Sequence, residues 1–165
     1  MSEDTSPPRT PTAPGPPPLR PFGLVLHHDG RFSHEGAPIG NRLLREHFDR
    51  SVEYLSGEEK YIVRLKHFRG QIEVEEAGFF VRSVDLVSGE IAISDGTHEM
   101  LDVASLVGSP IDGALLCRIK RARVEGGLLA RFSHSAQAEF ALAVEPEGDH
   151  FIVSIGGHSV RCPEF

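Results

Sequence analysis

The residues best suited to bind a charged group are basic side chains in the second half of the chain. Arginine and lysine pair with phosphate and carboxylate groups, and arginine does so bidentately. Because the whole chain has a net charge of −7, a cationic cluster within it indicates an anion-binding surface. The alternative is a strand edge that its charges protect from aggregation. The cluster comprises Arg118, Lys120, Arg121, Arg123 and Arg131.

A second candidate anion site lies where a glycine-containing loop enters a predicted helix. Gly36 and Gly40 flank this loop, and Arg42 follows at the start of the helix. Free backbone N–H groups at a helix start attract anions. No Lys-Ser or Lys-Thr pair follows Gly40, so the loop is not a nucleotide-binding P-loop. An ordinary strand-to-helix loop with a capped helix end is the alternative.

Three carboxylates crowd one predicted strand, at Glu73, Glu75 and Glu76. Paired carboxylates bind cations or transfer protons, but they more commonly pair with basic residues on neighbouring strands. We therefore expect ion pairs rather than catalysis from this strand. The basic partners available nearby are Arg64, Lys66 and Arg82.

The nine histidines do not form a recognisable metal site or catalytic motif. The sequence contains no HxH, HExxH or CxxC spacing, which are the patterns that bring metal ligands together. Ser133, His134 and Ser135 lack a nucleophile elbow and an acid to orient the histidine. We therefore expect no catalytic residue, no metal site and no cofactor.

The elements that position these residues are short strands separated by tight turns. Asp29-Gly30 and Asp95-Gly96 each predict a β-hairpin, because this dipeptide adopts the positive φ angles of a two-residue turn. Asn41 can cap a first helix, and Gly57 suits its end. The apolar residues that predict one face of this helix are Leu44, Phe48, Val52 and Leu55.

One tetrapeptide occurs twice, since residues 31–34 and residues 131–134 both read Arg-Phe-Ser-His. Each copy leads into an amphipathic helical segment, an apolar strand, a glycine-containing turn and a second strand. This order indicates an internal duplication. In the second copy, Ser133 or Ser135 caps a helix that extends through Val144, and Pro146 ends it.

These elements predict an α+β fold of mostly antiparallel strands with two helices and internally duplicated halves. Residues 22–78 form the first half and residues 79–165 the second. Neither helix has enough apolar surface for a core of its own, so we expect the halves to pack on each other. Residues 1–21 hold eight of the 12 prolines, which predicts a disordered Pro-rich arm.

Composition excludes several classes of partner and location. A net charge of −7 argues against a nucleic-acid partner, because such proteins normally present a basic face. The chain has no run of 18 apolar residues and no signal-peptide core, so we expect no membrane span and a cytoplasmic location. With only Cys117 and Cys162, we expect buried reduced thiols rather than a disulfide framework.

Four segments carry a family resemblance, namely residues 29–32, residues 35–39, residues 72–79 and residues 127–131. They resemble the bacterial domain-of-unknown-function family 1285 (DUF1285). The chain departs from the family pattern at Ala37, Glu76 and Gly78, where the family has serine, aspartate and proline. The resemblance implies a duplicated core whose second half is superficially similar to pleckstrin-homology folds. It also implies a ligand site, such as one for a nucleotide, between the halves, and a role in signal transduction.

We therefore expect a non-catalytic ligand-sensing or adaptor protein that binds a small anionic, nucleotide-like ligand between its halves. Arg118, Lys120 and Arg131 would contact the negative groups, and Arg42 would assist from the first helix. The Pro-rich arm would be free to reach a protein partner. A pure protein-interaction module is the alternative, which predicts an exposed apolar patch or an open strand edge. An enzyme would instead need a deep cleft that holds an acid or histidine with a strongly shifted pKa.

Overall fold

The computed structural model describes residues 19–64, 66 and 69–164, so most of the predicted Pro-rich arm, residues 1–18, lies outside the described residues. Within this part, the chain forms two six-stranded sheets, one three-stranded sheet and two α-helices. The predicted α+β class with duplicated halves is confirmed. Neither of these two helices is long and apolar enough to cross a membrane.

The first sheet has the strand order β3-β2-β1-β6-β5-β4. Its two central strands, β1 and β6, run parallel, and each is flanked by an antiparallel meander. The elements of this sheet and its helix are β1 (Leu19–Leu26), β2 (Phe32–His34), β3 (Ala37–Pro38), α1 (Arg42–Ser51), β4 (Val52–Leu55), β5 (Lys60–Arg64) and β6 (Arg69–Val74).

The second sheet has the strand order β9-β8-β7-β12-β11-β10, and its central strands β7 and β12 again run parallel. A short 3₁₀ turn at Val103–Ser105 separates its two meanders. The strands are β7 (Phe79–Val84), β8 (Glu90–Ile93), β9 (His98–Met100), β10 (Val107–Gly108), β11 (Leu115–Ile119) and β12 (Leu128–Phe132).

A second helix and a small sheet follow β12. The helix lies against β7 and β12, and the three strands form an antiparallel meander in the order β13-β14-β15. The pleckstrin-homology likeness of this half stays a prediction. The elements are α2 (His134–Ala141), β13 (Val144–Glu147), β14 (His150–Ile155) and β15 (His158–Arg161).

The duplication lies in the sheets and not in the repeated tetrapeptide. Adding six to each strand number of the first sheet gives the order of the second, so β1 corresponds to β7 and β6 to β12. Residues 32–34 form β2, whereas residue 132 ends β12 and residue 134 begins α2. A helix and then antiparallel strands follow both copies, as predicted, but each meander has three strands where two were predicted. The first meander, however, joins the sheet through β6, and the second forms a sheet of its own.

The first helix is capped as predicted but ends earlier than predicted. The Asn41 side chain accepts a hydrogen bond from the Leu44 N–H at 3.0 Å. The helix ends at Ser51 rather than near Gly57, because Val52–Leu55 pairs with β5 as strand β4. Of the predicted apolar face, only Phe48 is buried on the helix itself, and Leu44 is exposed.

The second helix shows the same kind of difference. Ser133 caps it by accepting a hydrogen bond from the Ala136 N–H, and the helix ends at Ala141 rather than Val144. Val144 begins β13, and Pro146 lies inside that strand opposite Phe151. In the described sheet β13 is an edge strand that pairs with β14 alone. A proline is tolerated there because the strand has no second partner that would need its missing N–H group.

The sheet also begins earlier than predicted, because Leu19–Pro21 belong to β1 rather than to the arm. These three residues pair with Arg69–Gln71 at the start of β6, and the register shifts between Pro21 and Leu24. The antiparallel partner strand β2 begins its pairing only at Leu24. Pro21 therefore lies where β1 has one described neighbour, as a proline in a strand requires.

The halves share one hydrophobic core that runs from β1 to the C-terminal strands. Part of their boundary is built around Gly78, which is buried beside the Tyr61 ring. A Cβ atom at position 78 would lie 2.3 Å from Tyr61 Cε1, and the rings of Tyr54 and Phe79 hold Tyr61 in place. The space that the proline of the DUF1285 pattern would fill is thus taken by an aromatic ring.

We expect Gly78→Ala to lower the free energy of unfolding by about 1–3 kcal/mol, because the new methyl group overpacks this boundary. Urea unfolding measures the change. Gly57→Ala is the matched control, since a Cβ at Gly57 meets no atom within 4 Å, and we expect it to stay within about 0.5 kcal/mol of wild type. Equal stability of the two variants would show that Tyr61 is free to move aside.

Candidate functional site

Arg131 lies on β12 at the boundary between the two halves. The residue is only 7% exposed, and its register partner on β11 is Leu116. Its Nη1 donates to Glu76 Oε1 at 3.1 Å and to Asp112 Oδ1 at 3.0 Å. Its Nη2 pairs with the second oxygen of Asp112. One buried guanidinium thus joins the segment after β6, the β10–β11 turn and β12.

The two carboxylates of this cluster are held by more than Arg131. Glu76 also accepts a hydrogen bond from the Ser109 hydroxyl at 2.6 Å, and its side chain is 6% exposed. The Arg131 hydrogen bonds, followed by the Ala114 N–H, lower the pKa of Asp112 to about 2. In turn, hydrogen bonding to Asp112 raises the pKa of Arg131. Both groups are therefore fully charged at neutral pH, and Arg131 is already neutralised by protein.

A cavity of about 430 Å³ opens beside this cluster, between the turn after β1, β7, β12 and the start of α2. It therefore draws its walls from both halves of the molecule, as the predicted ligand site does. Its lining residues are Asp29, Phe80, Arg82, Asp112, Gly113, Ala114, Arg131, Phe132, Ser133, His134 and Gln137.

The cavity is polar and carries both signs of charge. Arg82 and His134 supply donors, and the first residues of α2 add the positive end of the helix dipole. Asp29 and Asp112 supply acceptors. Phe80 forms an apolar surface, and the Arg82 guanidinium lies 5.3 Å from the centre of its ring. The arrangement suits a small molecule with an anionic group and several hydrogen-bond donors.

Lys120, a predicted ligand-binding residue, lies away from this cavity. Its Nζ is 2.8 Å from Asp95 Oδ2 and 5.1 Å from the centre of the Phe79 ring. It lines a separate cavity of about 350 Å³ with Tyr54 and Arg123. Because Lys120 is paired and turned towards the β8–β9 hairpin, the structure does not bring it together with Arg131.

Arg118 and Arg42 do not line the cavity beside Arg131 either. Arg118 is exposed on β11 and lines none of the four cavities of about 350, 390, 430 and 690 Å³. Arg42 is exposed at the start of α1, where its Nε lies 3.6 Å from Glu46 Oε1. It lines a third cavity, of about 390 Å³. Of the four residues predicted to share one site, Arg131 alone contacts the cavity between the halves.

The predicted partners of the three crowded glutamates are largely different in the structure. Glu75 pairs with His27 and His28, and Glu76 pairs with Arg131. The expected partners bind other acids, since Arg64 pairs with Glu53 and Arg82 with Asp49. Ion pairing itself was the correct expectation, but it follows strand neighbours that the sequence does not reveal.

One hydrogen-bond chain has the order of a hydrolase triad. His27 Nε2 lies 2.8 Å from Ser33 Oγ, and His27 Nδ1 lies 3.1 Å from Glu75 Oε2. Neither Ser33 nor His27 lines any of the three cavities described above. This chain ties the β1–β2 hairpin to the end of β6. Among the described residues, no group of three or more metal-ligating side chains converges either.

Sequence reasoning did not single out Asp112 or Gln137, and it considered Arg82 only as an ion-pair partner. One signal was present, because Asp112-Gly113 is the same Asp-Gly dipeptide that marks the other two hairpins. It joins β10 to β11, and Gly113 has a φ of +76°. The fact that this turn carries an acid to Arg131 depends on the tertiary fold.

The fold is similar to that of solved structures in the DUF1285 family. A DUF1285 family protein from Silicibacter pomeroyi matches 88% of this chain and 82% of its own, with a TM-score of 0.59 and 16% identity. A second, from Shewanella baltica, matches 74% of this chain and 91% of its own, with a TM-score of 0.48 and 12% identity. The first likeness shows that the chain has a DUF1285-like fold.

Comparisons by sequence add nothing to this likeness. No family model matches the chain, and no curated protein matches it.

We expect Arg131→Met to lower the free energy of unfolding at pH 7 by about 3 kcal/mol, because the buried carboxylate of Glu76 loses its cation. Urea unfolding measures this loss. Arg118→Met is the control on the neighbouring strand, and we expect a change within about 0.5 kcal/mol because Arg118 is exposed. A loss below about 1 kcal/mol for Arg131→Met would contradict the role of this cluster.

The same variant predicts a pH dependence. In the folded wild type the pKa of Asp112 lies below its unfolded value, so its stabilising effect is complete above about pH 4 and is lost as pH falls towards 2. Arg131→Met removes the cause of this shift. We therefore expect the difference in unfolding free energy between the two proteins to shrink between about pH 4 and pH 2. A difference that stays constant over that range would contradict the assignment.

Proposed function

We propose that the protein is a non-catalytic cytoplasmic binding protein that holds a small anionic ligand in the 430 Å³ cavity between its halves. The observation that carries the proposal is the composition of this cavity. It combines the donors of Arg82, His134 and the start of α2 with the carboxylates of Asp29 and Asp112. Its volume lies within the range of small-molecule sites.

The anionic group of the ligand fits the start of α2 and His134, and Arg82, which Asp49 also contacts, adds a partly compensated positive charge. The Ser133 hydroxyl accepts from the Ala136 N–H, and the Ser133 carbonyl accepts from the Gln137 N–H. The N–H groups of His134 and Ser135, at the first two positions of the helix, have no acceptor within the helix and can bind an anion. Arg131 lines the cavity, but Asp112 and Glu76 already occupy its guanidinium. Its part in the proposal is to hold Asp112 in the wall rather than to supply the main positive charge.

The acidic residues of the cavity favour hydroxyl or amino groups on the ligand. The side chain of Asp112 is 39% exposed and ionised, so its carboxylate accepts hydrogen bonds from a ligand. A molecule with one anionic group and several hydroxyls satisfies both the donors and the acceptors of the cavity. Sugar phosphates and nucleotides belong to this class, and the family resemblance also suggests a nucleotide.

A sensing role follows from the position of the cavity. The turn that carries Asp29 belongs to the first sheet, whereas β7, β12 and α2 belong to the second half. A ligand that contacts both walls stabilises the arrangement in which these walls face each other. The bound and free proteins would then differ in how firmly the halves are joined, which is a signal that a partner can recognise.

The interaction-module alternative has one observation in its favour. A groove of about 690 Å³ runs between α2, β13 and β14, and its walls include Phe140, Val144 and Phe151. Phe151 is 56% exposed, and β13 and β15 each have one neighbouring strand in the described sheet. If this protein binds no small molecule, the apolar groove favours the alternative, in which another protein is the partner.

A thermal-shift screen of nucleotides and sugar phosphates tests the proposal. We expect at least one compound to raise the unfolding temperature of wild type, since a ligand at 100 times its Kd adds about 2.7 kcal/mol. His134→Ala and Arg82→Gln should each weaken binding at least tenfold, because each removes a donor that would contact the anionic group of the ligand.

His158→Ala is the control for this screen. His158 is exposed on β15 and does not line the cavity, so its variant should bind like wild type. If no compound in these classes stabilises wild type, or if the cavity variants bind as tightly as the control, the small-ligand proposal fails. The interaction-module alternative would then be favoured.

A further inference from the structure

The cavity that Arg42 lines is also charged. It has a volume of about 390 Å³ and is lined by residues of α1, of the β1–β2 turn and of β2, and by Arg82 of β7. Three arginines and two carboxylates line it, which leaves one unit of positive charge in a chain whose net charge is −7. These charged residues are Arg42, Arg45, Glu46, Asp49 and Arg82.

Two of the three guanidinium groups have acidic partners in the cavity wall. Arg42 lies 3.6 Å from Glu46, one turn further along α1. Arg82 pairs with Asp49, whose side chain is 18% exposed. These pairs use up both carboxylates of the cavity and fix Arg82 across from the helix.

Arg45 is the exception. Its Nε is buried, and it has no hydrogen-bond partner among the described residues. Its guanidinium forms no ion pair in that part of the chain either. Buried donors in native proteins almost always have an acceptor, and a charged donor without one is especially unfavourable. The wall therefore contains a cationic donor that no described residue satisfies.

We propose that Arg45, flanked by Arg42 and Arg82, binds an oxyanion of the phosphate type in this cavity. A guanidinium offers two parallel N–H groups, and this geometry matches the oxygens of a phosphate group. Phe32 adds an apolar residue to the lining, and charges attract each other more strongly beside apolar atoms than in bulk water. Both free phosphate and a phosphate monoester supply the same chemistry.

This site goes beyond the function proposed above, because it does not depend on the cavity between the halves. Of these two cavities, Arg45 lines the one at α1 but not the one between the halves, and His134 lines the one between the halves but not the one at α1. Arg82 lies in the wall of both. The two proposals therefore fail separately. His134→Ala should leave phosphate binding unchanged, whereas Arg45→Met should remove it.

Isothermal titration of the full chain with inorganic phosphate, at constant ionic strength in a chloride buffer, tests the inference. We expect saturable binding to wild type and at least tenfold weaker binding to Arg45→Met, which keeps the aliphatic stem but loses every donor. Arg45→Lys keeps the charge but not the paired N–H groups, so its affinity should lie between the two. Arg50→Met is the matched control on α1, since Arg50 is exposed and outside the cavity, and it should bind within twofold of wild type.

Unfolding temperatures provide a second readout that a purely structural arginine would not give. In phosphate-free buffer, Arg45→Met should be at least as stable as wild type, because it removes a buried donor that has no partner. Phosphate should raise the unfolding temperature of wild type but not of the variant. The inference is overturned if wild type shows no saturable binding, or if Arg45→Met and Arg50→Met bind phosphate equally.

The source of the phosphate group is distinguished by repeating the titration with glycerol phosphate. Tighter binding of the ester than of inorganic phosphate would assign the rest of the cavity to an organic group. Tighter binding of inorganic phosphate would assign the site to the free ion. Either order supports an oxyanion site at Arg45, and the absence of binding by both compounds contradicts it.

Discussion

The ion pairs of Arg131 are the constraint on which the junction of the two halves depends. A guanidinium that is 7% exposed must have counter-charges, because the loss of water around it is otherwise uncompensated. Glu76 reaches it from the segment between the sheets, and Asp112 reaches it from the turn between β10 and β11. These contacts fix one wall of the larger polar cavity. They also explain why the most buried of the predicted ligand-binding arginines has little charge left for a ligand.

Most of the other basic residues discussed above are also neutralised by acidic partners. Lys120 has Asp95, Arg82 has Asp49 and Arg42 has Glu46, so most cations that appear available in the sequence are paired in the fold. What remains for an anion is the start of α2 with its neighbouring side chains, and the unpartnered Nε of Arg45. Function in this molecule is therefore better sought where pairing is incomplete than where basic residues are densest.

The duplicated architecture shows how far sequence similarity and structural equivalence diverge. The two sheets share one strand order, with a parallel pair at the centre of each. The repeated tetrapeptide correctly led to a duplicated fold, but its copies occupy β2 and the junction of β12 with α2. Strand pairing conserves an arrangement through backbone hydrogen bonds, so the equivalence persists where the side chains no longer show it.

The sequence by itself determined the features that depend on neighbouring residues. The hairpins at Asp29-Gly30 and Asp95-Gly96, and the caps at Asn41 and Ser133, all follow from a residue and its next few neighbours. The tertiary structure decided where the helices stop and which acid each arginine meets. Arg131 and Glu76 are separated by 55 residues, and β4 takes Val52 from the predicted helix only because β5 is there to pair with it. Such contacts depend on which distant segments the fold brings side by side, and the spacing of neighbouring residues does not predict those contacts.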